Sequence, residues 1–280
     1  MSASTESKPS WGASYRLIAA EKWKAKSAAM GRAVTKALVE YARPQAGMSV
    51  LDMATGTGEP AISMAERVGP NGQVIALDQS AELLEIAAGR ARSRNLSNFS
   101  TRQADVHELP FPDEHFDLVT CRFGVMFFAD VRKALQESCR VLKPGSRVCF
   151  VAWGPFDQPY WSSTMGIVHK HVGGPLLADS ARNMFLFAPP GTLSAELRAA
   201  GFHQAEDFQQ SLPWPWHGTI EEVWEYAKTL STPFQPLLNR VPPEKWDLIE
   251  TEVHAAIAKF VQGESVNFSA TVVLASGTKQ

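Results

Sequence analysis

A glycine-bearing turn follows an early apolar run of the chain. Residues 52–61 read DMATGTGEPA and come directly after the run SVL at 49–51. A turn of this kind at the end of a β-strand lets the backbone approach a ligand closely. The glycines match the dinucleotide pattern G-x-G-x-x-A, and Asp78 follows where a ribose-binding acid is expected. Taken alone, the turn fits a dinucleotide, another adenosyl ligand or no ligand.

The residues around the turn disfavour a pyrophosphate. A pyrophosphate needs free backbone N–H groups and the positive end of a helix. Pro60 removes one such donor, and Glu59 places a carboxylate where phosphate would bind. With Asp52 and Asp78, these residues favour an adenosyl ligand that has no phosphate and carries positive charge. S-adenosylmethionine, with its sulfonium and ammonium groups, is such a ligand.

The elements that position this turn are predicted from the rhythm of the chain. Short β-prone runs alternate with amphipathic segments, which is typical of a parallel sheet covered by helices on both faces. Ser80 and Asp130 are expected to cap two of the helices. Strands are predicted at 49–53, 73–78, 99–103, 116–121 and 147–153, and helices at 13–42, 60–68, 80–94 and 130–142.

Beyond Trp153 the alternation is lost. Aromatic residues, Met, Gly and Pro predict an irregular cover, and a helix at 192–200 with strands near 203–212 and 266–276 predicts a return to the sheet. The predicted divisions are an N-terminal helical cap (1–45), a core (46–153), a lid insertion (154–190) and the end of the sheet (191–280) with a second helical insertion at about 213–262.

Composition excludes several classes of protein. The 280 residues are 45% hydrophobic and 20% charged, as in an ordinary globular protein. A net charge of -2 gives no electrostatic reason to expect nucleic acid or an acidic membrane surface as partner. Three cysteines without a short ligand pair predict no metal site and a reduced, cytoplasmic environment. No run approaches the ~20 apolar residues of a membrane span, and the first ten residues lack a signal-peptide core.

Four motifs occur in order over roughly residues 47–153: VLDMATGTGEP, VIALDQS, QADVHELPFPDEHFDLVTCRFGVMFF and RVLKPGSRVCFVAW. They resemble the class I S-adenosylmethionine-dependent methyltransferases, specifically the ubiquinone/menaquinone C-methyltransferase-like (type 11) branch. The resemblance implies an α/β, Rossmann-like sheet of seven mostly parallel strands with an antiparallel last hairpin. It also implies methyl transfer to a small, partly apolar acceptor at O, N, S or C. Ala54 and Ser146 stand where the family often has Gly.

The same resemblance implies roles for individual residues. The turn backbone is expected to pack against methionine and ribose, Asp52 to lie near the ammonium, and Asp78 to accept both ribose hydroxyls. Asp78 could instead cap the next helix, and Asp52 could only order the turn. The cofactor-binding residues implied are Asp52, Ala54, Thr55, Gly56, Gly58, Asp78, Gln79, Asp105 and Val106 (the last three near adenine), Arg122 through its backbone, and Tyr15 from the N-terminal segment.

No catalytic residue is assigned. An imidazole titrates near neutral pH, so His107, His169 and His171 are candidate bases, although such histidines more often have an ordinary structural role. Two other functions remain open: a non-methylating S-adenosylmethionine-binding protein or cyclase, and a nicotinamide-dependent oxidoreductase. The candidate substrate-binding residues, which could instead form the core of the lid, are the aromatic residues Phe123, Phe127, Tyr160, Trp161 and Phe185.

Overall fold

A computed structural model of the protein describes residues 23–177, 183–230 and 232–280. Its strands are β1 (Ser49–Met53), β2 (Gln73–Asp78), β3 (Phe99–Gln103), β4 (Phe116–Arg122), β5 (Leu142–Trp153), β6 (His203–His217), β7 (Val261–Gln262) and β8 (Ser265–Thr278). They form one sheet in the order β3-β2-β1-β4-β5-β8-β6, and the short β7 pairs with β8. β1 to β5 pair in parallel, whereas β8 is antiparallel to both β5 and β6. The predicted mostly parallel sheet with an antiparallel last hairpin is confirmed.

Helices cover the sheet and its carboxyl edge. Ser80 Oγ accepts a hydrogen bond from Leu83 N at 3.2 Å, and Asp130 Oδ1 accepts one from Lys133 N at 3.0 Å, so both predicted caps are confirmed. The helices are α1 (Lys24–Met30), α2 (Arg32–Ala42), α3 (Ala61–Val68), α4 (Ala81–Ser93), α5 (Val131–Val141), α6 (Pro159–Ser162), α7 (Met165–Val172), α8 (Thr192–Ala199), α9 (Ile220–Leu230), α10 (Gln235–Leu238) and α11 (Trp246–Ala258).

The predicted N-terminal helix is only partly described. Its first residues, including Tyr15, lie outside the described part of the chain. From Lys24 onward the helix is divided at Gly31 into α1 and α2, and it ends at Ala42 as predicted.

The last hairpin is longer than predicted. β6 continues to His217, although Pro213 and Pro215 lie in its second half. Proline lacks the N–H that a central strand needs, so its presence predicts the end of a strand. β6 is the last strand in the sheet order, and an edge strand tolerates proline because one side of it has no partner. The extension buries Trp214 and Trp216.

The second insertion contacts both α1 and the first insertion. Within residues 154–190, which were predicted to be irregular, α6 and α7 are short helices. Lys26 on α1 forms an ion pair with Glu222 on α9. The Trp23 ring lies 5.3 Å from that of Trp216, measured between centroids. Trp23 and α1, at the start of the described chain, therefore pack against the end of β6 and the second insertion. No helix among the residues described is both long and apolar enough to cross a membrane.

Candidate functional site

A cavity of about 840 Å³ lies beyond the carboxyl ends of β1, β4 and β5. One side of it is formed by the glycine turn together with residues of α2, α3 and α4, and the other side is mostly aromatic. This is the edge at which parallel α/β sheets bind ligands. Of the residues predicted from the sequence, those that line the cavity are Ala54, Thr55, Gly56, Arg122, Phe123, Phe127, Tyr160 and Trp161.

The glycine turn has the backbone of a tight ligand loop. Ala54 and Gly56 both adopt positive φ, at 52° and 57°. Gly56 N donates a hydrogen bond to Asp78 Oδ2 at 2.8 Å, which ties the turn to the end of β2. Ala54 is tolerated where the family often has Gly because Gly124 lies beside it: a Cβ on Gly124 would come 2.6 Å from the Ala54 methyl.

Gly58 has a packing role that was not predicted from the sequence. Its φ is 105°, and a Cβ there would lie 2.8 Å from Ile62 Cδ1 and 3.1 Å from Ala87 Cβ. Gly58 is absent from the cavity wall. The close packing of α3 against α4 requires a glycine here, and the contact of the Gly58 backbone with the cofactor stays a prediction.

Glu59, whose carboxylate was expected to repel phosphate, has neighbours that partly compensate its charge. Glu59 Oε2 accepts a hydrogen bond from Ser63 Oγ at 2.7 Å, and Glu59 Oε1 lies 3.7 Å from Arg90 Nη2. Arg90 also donates from Nη1 to the Thr57 carbonyl at 2.7 Å. Burial lowers the pKa of Arg90, and the attraction of Glu59 opposes this. Arg90 therefore fixes both the turn and the acid that follows it.

Asp52 is fully buried at the end of β1 and is not part of the cavity wall. Its Oδ1 accepts a hydrogen bond from Thr120 Oγ1 at 2.7 Å, whereas Oδ2 has no hydrogen-bond donor among the described residues. Burial raises the pKa of Asp52 to about 7, against the lowering effects of the Thr55 and Thr120 hydroxyls and of Arg122. The acid is thus held close to its titration midpoint at neutral pH.

The predicted ribose and adenine residues form a neighbouring patch outside the cavity wall. Asp78 uses Oδ2 for Gly56 N, as above, and accepts from Ser80 N through Oδ1 at 3.0 Å. Asp105 follows the end of the adjacent strand β3, and its neighbour Ala104 donates a hydrogen bond from N to Asp78 O at 3.2 Å. Gln79 and Val106 flank these two acids in sequence, and Val106 is buried. Asp78 therefore orders the turn and the start of α4, the structural role that the sequence left open.

The Arg122 guanidinium lies next to Gly31 and Thr35, two residues that line the cavity together with Arg122. Arg122 Nη1 donates a hydrogen bond to Thr35 Oγ1 on α2 at 3.0 Å. Burial lowers the pKa of the guanidinium, and the attraction of Glu59 and Asp52 opposes this. A Cβ on Gly31 would lie 2.9 Å from Nη1, so the glycine between α1 and α2 makes room for the guanidinium.

The far half of the cavity has an aromatic wall. Phe123 holds a positive φ of 61°, a costly conformation for a bulky residue that is often found at functional sites. Its ring stacks on Trp153 with centroids 4.5 Å apart, and Trp214 meets Trp153 edge-on at 5.1 Å. Phe185, a candidate substrate-binding residue, does not line the cavity. It packs inside the lid, with its ring 5.5 Å from that of Phe156.

The three candidate bases are bonded elsewhere. His107 Nε2 accepts from Asp130 N at 3.1 Å, and Nδ1 lies 2.5 Å from Asp105 Oδ1, so both ring nitrogens are occupied. His169 Nε2 bonds the Gly174 carbonyl at 2.8 Å, and His171 Nε2 lies 3.0 Å from Glu252 Oε2. None of the three lines the cavity. The structure therefore gives no support to a histidine base.

Several cavity residues were missed by the sequence analysis. Trp153 had a usable signal, because it ends a predicted strand on the ligand-binding edge. No sequence signal identifies Thr35, Gly31 and Arg90, because their roles depend on how helices pack over the turn. Tyr226 comes from an insertion outside the recognised motifs.

Comparison with known proteins places the chain in a family. Residues 44–161 match the family model described as a methyltransferase domain. A demethylmenaquinone methyltransferase of Listeria welshimeri is 34% identical over 137 residues, which cover 49% of this chain and 58% of that protein. The chain thus spans less than two thirds of that relative's length. The demethylmenaquinone methyltransferase of Deinococcus radiodurans is 34% identical over 163 residues, 55% of this chain and 67% of that protein.

A solved structure agrees at the level of the fold. The YcgJ protein from Bacillus subtilis superposes with a TM-score of 0.57 and 23% identity, covering 88% of this chain and 97% of that one. Similarity at this identity concerns architecture alone, whereas the Deinococcus relative carries the sequence relationship. The chain belongs to the class I S-adenosylmethionine-dependent methyltransferases, in their ubiquinone/menaquinone methyltransferase branch.

Proposed function

We propose that the protein transfers the methyl group of S-adenosylmethionine to a small, partly apolar molecule and releases S-adenosylhomocysteine. The observation that carries this proposal is that a single cavity joins the glycine turn to the aromatic wall. The turn at Ala54–Gly56 and the aromatic wall around Phe123 belong to the same space, so a cofactor on the turn would present its methyl group to an acceptor on the wall.

The polar residues around the turn fit the cofactor. The ammonium of the methionyl group suits the neighbourhood of Asp52, whose Oδ2 lacks a donor in the described part of the chain. Asp78 keeps lone pairs for ribose hydroxyls while it holds the turn, since each of its oxygens accepts one backbone bond. We assign Gln79, Asp105 and Val106 to the adenine, and Ala54, Thr55 and Gly56 to the methionine and ribose.

The protein positions the two reactants and excludes water from them. The cofactor itself supplies an activated methyl group. Holding donor and acceptor in line can lower the barrier by about 7–11 kcal/mol. Tyr160 and Trp161 from the lid, with Phe123 and Trp153 from the strand ends, enclose the acceptor side in apolar surface. We assign the lid role to 154–190 and to the helical segment after β6.

The acceptor must be nucleophilic without a general base from the protein. In the aromatic half of the cavity, the titratable side chains that line the described wall are Tyr160 and Tyr226, and burial raises the pKa of Tyr160 well above its usual value. A neutral tyrosine is a poor base at pH 7. Acceptors that are nucleophilic near neutrality, such as amines, thiolates, phenolates or enolic carbons, meet this requirement. The size of the cavity and the charge of -2 favour a small molecule over nucleic acid.

Isotope transfer tests the proposal. The purified protein is incubated with methyl-labelled S-adenosylmethionine and a panel of small aromatic amines, phenols, thiols and quinols, and both S-adenosylhomocysteine and labelled product are measured by mass spectrometry. We expect equal amounts of the two with at least one acceptor class. Tight cofactor binding without transfer to any class would instead indicate a non-methylating protein.

A further inference from the structure

Arg122 is a partly buried cation that forms no ion pair with the residues that the structure describes. Its one side-chain hydrogen bond to a described residue goes to the neutral hydroxyl of Thr35, and Nε is buried without an acceptor in the described part of the chain. Its charged neighbours, Asp52 and Glu59, attract it without forming an ion pair within the described residues. Nearby Arg90 differs, because it donates a hydrogen bond to a carbonyl and lies next to a carboxylate.

Withdrawing a charge from water is costly, and a guanidinium whose Nε is buried is usually matched by an opposite charge. The protein also makes room for this one, because Gly31 leaves the space that a Cβ would take from Nη1. The neighbouring acids do not supply the match. Glu59 is engaged by Ser63 and Arg90, and the raised pKa of Asp52 leaves it partly neutral at pH 7. These observations point to an anion that comes from a ligand.

The position of the guanidinium identifies the ligand. Arg122 contacts α2 through Thr35 and attracts the two acids that flank the glycine turn, so it belongs to the turn side of the cavity. On that side the proposed cofactor carries an ammonium and a carboxylate. We propose that the Arg122 side chain binds the methionyl carboxylate of S-adenosylmethionine, while Asp52 attracts its ammonium. This inference rests on the proposed function.

Calorimetry with two ligands tests the inference. S-adenosylhomocysteine carries the carboxylate, and its decarboxylated analogue, S-adenosyl-3-thiopropylamine, keeps the ammonium, ribose and adenine. Arg122→Met is expected to raise the Kd of S-adenosylhomocysteine by about 10- to 100-fold, the range for hydrogen bonds to a charged group. The Kd of the thiopropylamine should change less than about threefold. Arg92→Met, which removes the same charge from an exposed position of α4 outside the cavity, should change neither.

Other outcomes overturn the inference. An unchanged Kd for S-adenosylhomocysteine in Arg122→Met would show that the guanidinium binds no cofactor carboxylate. An equal rise for both ligands, with a lower Tm, would assign Arg122 a purely structural role. Arg122→Lys keeps the charge and should retain part of the preference for the carboxylate ligand; a complete loss in a folded protein also contradicts the proposal. If the wild type binds neither ligand, the proposed function itself fails, which is a separate result.

Discussion

The buried carboxyl of Asp52 makes a prediction that needs no substrate. Its pKa is raised from 3.8 to about 7 by burial, so between these values the folded state holds a proton that the unfolded chain has released. The stability that the neutral acid contributes is complete below pH 4 and is lost as the pH rises through 7. The ligand-free protein should therefore become less stable between pH 5 and pH 8.

Asp52→Asn isolates this effect. An asparagine still accepts from Thr120 through its carbonyl, and any cost of its unpaired NH₂ group is the same at every pH. Each pKa unit corresponds to about 1.36 kcal/mol, so the wild type should lose about 2.7 kcal/mol between pH 5 and pH 8 that the variant keeps. For a chain of this size, this difference corresponds to about 5–10 °C in Tm.

Thermal unfolding of the two proteins, followed by circular dichroism without ligand at pH 5, 6, 7 and 8, measures this difference. Other titrating groups are common to both proteins and cancel. If the Tm of Asp52→Asn followed the same pH dependence as the wild type, Asp52 would not be held near pH 7 and the reasoning would be wrong. Cofactor binding provides a second measurement: an ammonium favours the ionised acid, so binding below pH 7 should release a proton, detectable by calorimetry in buffers of different ionisation enthalpy.

Four further predictions concern the site. Asp78→Ala should raise the Kd of S-adenosylhomocysteine about tenfold or more and lower Tm, because Gly56 N and Ser80 N lose their acceptor; unchanged calorimetric affinity would refute the ribose assignment. His107→Ala should keep kcat within about threefold of the wild-type value, since a general base contributes roughly 10²-fold or more to the rate. A larger loss in a folded variant would indicate that His107 acts as a base. Phe123→Ala should lower kcat/KM, whereas Phe185→Ala should lower only Tm; steady-state kinetics with equal losses would contradict the assigned cavity wall. Gly58→Ala should cost more than about 1 kcal/mol in denaturant unfolding because of its clash with Ile62, and a neutral effect would contradict its packing role.

The core of the fold was predictable because local signals agree there. The alternation of strands and helices, the cap at Ser80 and the cap at Asp130 all indicate the same parallel sheet, and all are confirmed. The predicted end of β6 before Pro213 was wrong. Proline ends a strand only where both of its edges are paired, and whether they are depends on the order of strands in the sheet. Sequence periodicity does not contain that information.

The cavity was predictable on its strand side and less so on its helix side. Residues at strand ends, such as Phe123, share one edge of the sheet by topology alone. The roles of Gly31 and Thr35 depend on how α1 and α2 cross Arg122, and the neutralisation of Glu59 depends on Arg90 from a different helix. The sequence does not show which charged residues that are distant along the chain become neighbours, so the pairing of Glu59 with Arg90 could not be predicted.

The most direct test of the account is a calorimetric titration of the ligand-free protein with S-adenosylhomocysteine, with NAD⁺ titrated in parallel. We expect saturable binding of S-adenosylhomocysteine at one site per chain and no binding of NAD⁺. Binding of NAD⁺ together with no binding of S-adenosylhomocysteine would contradict it.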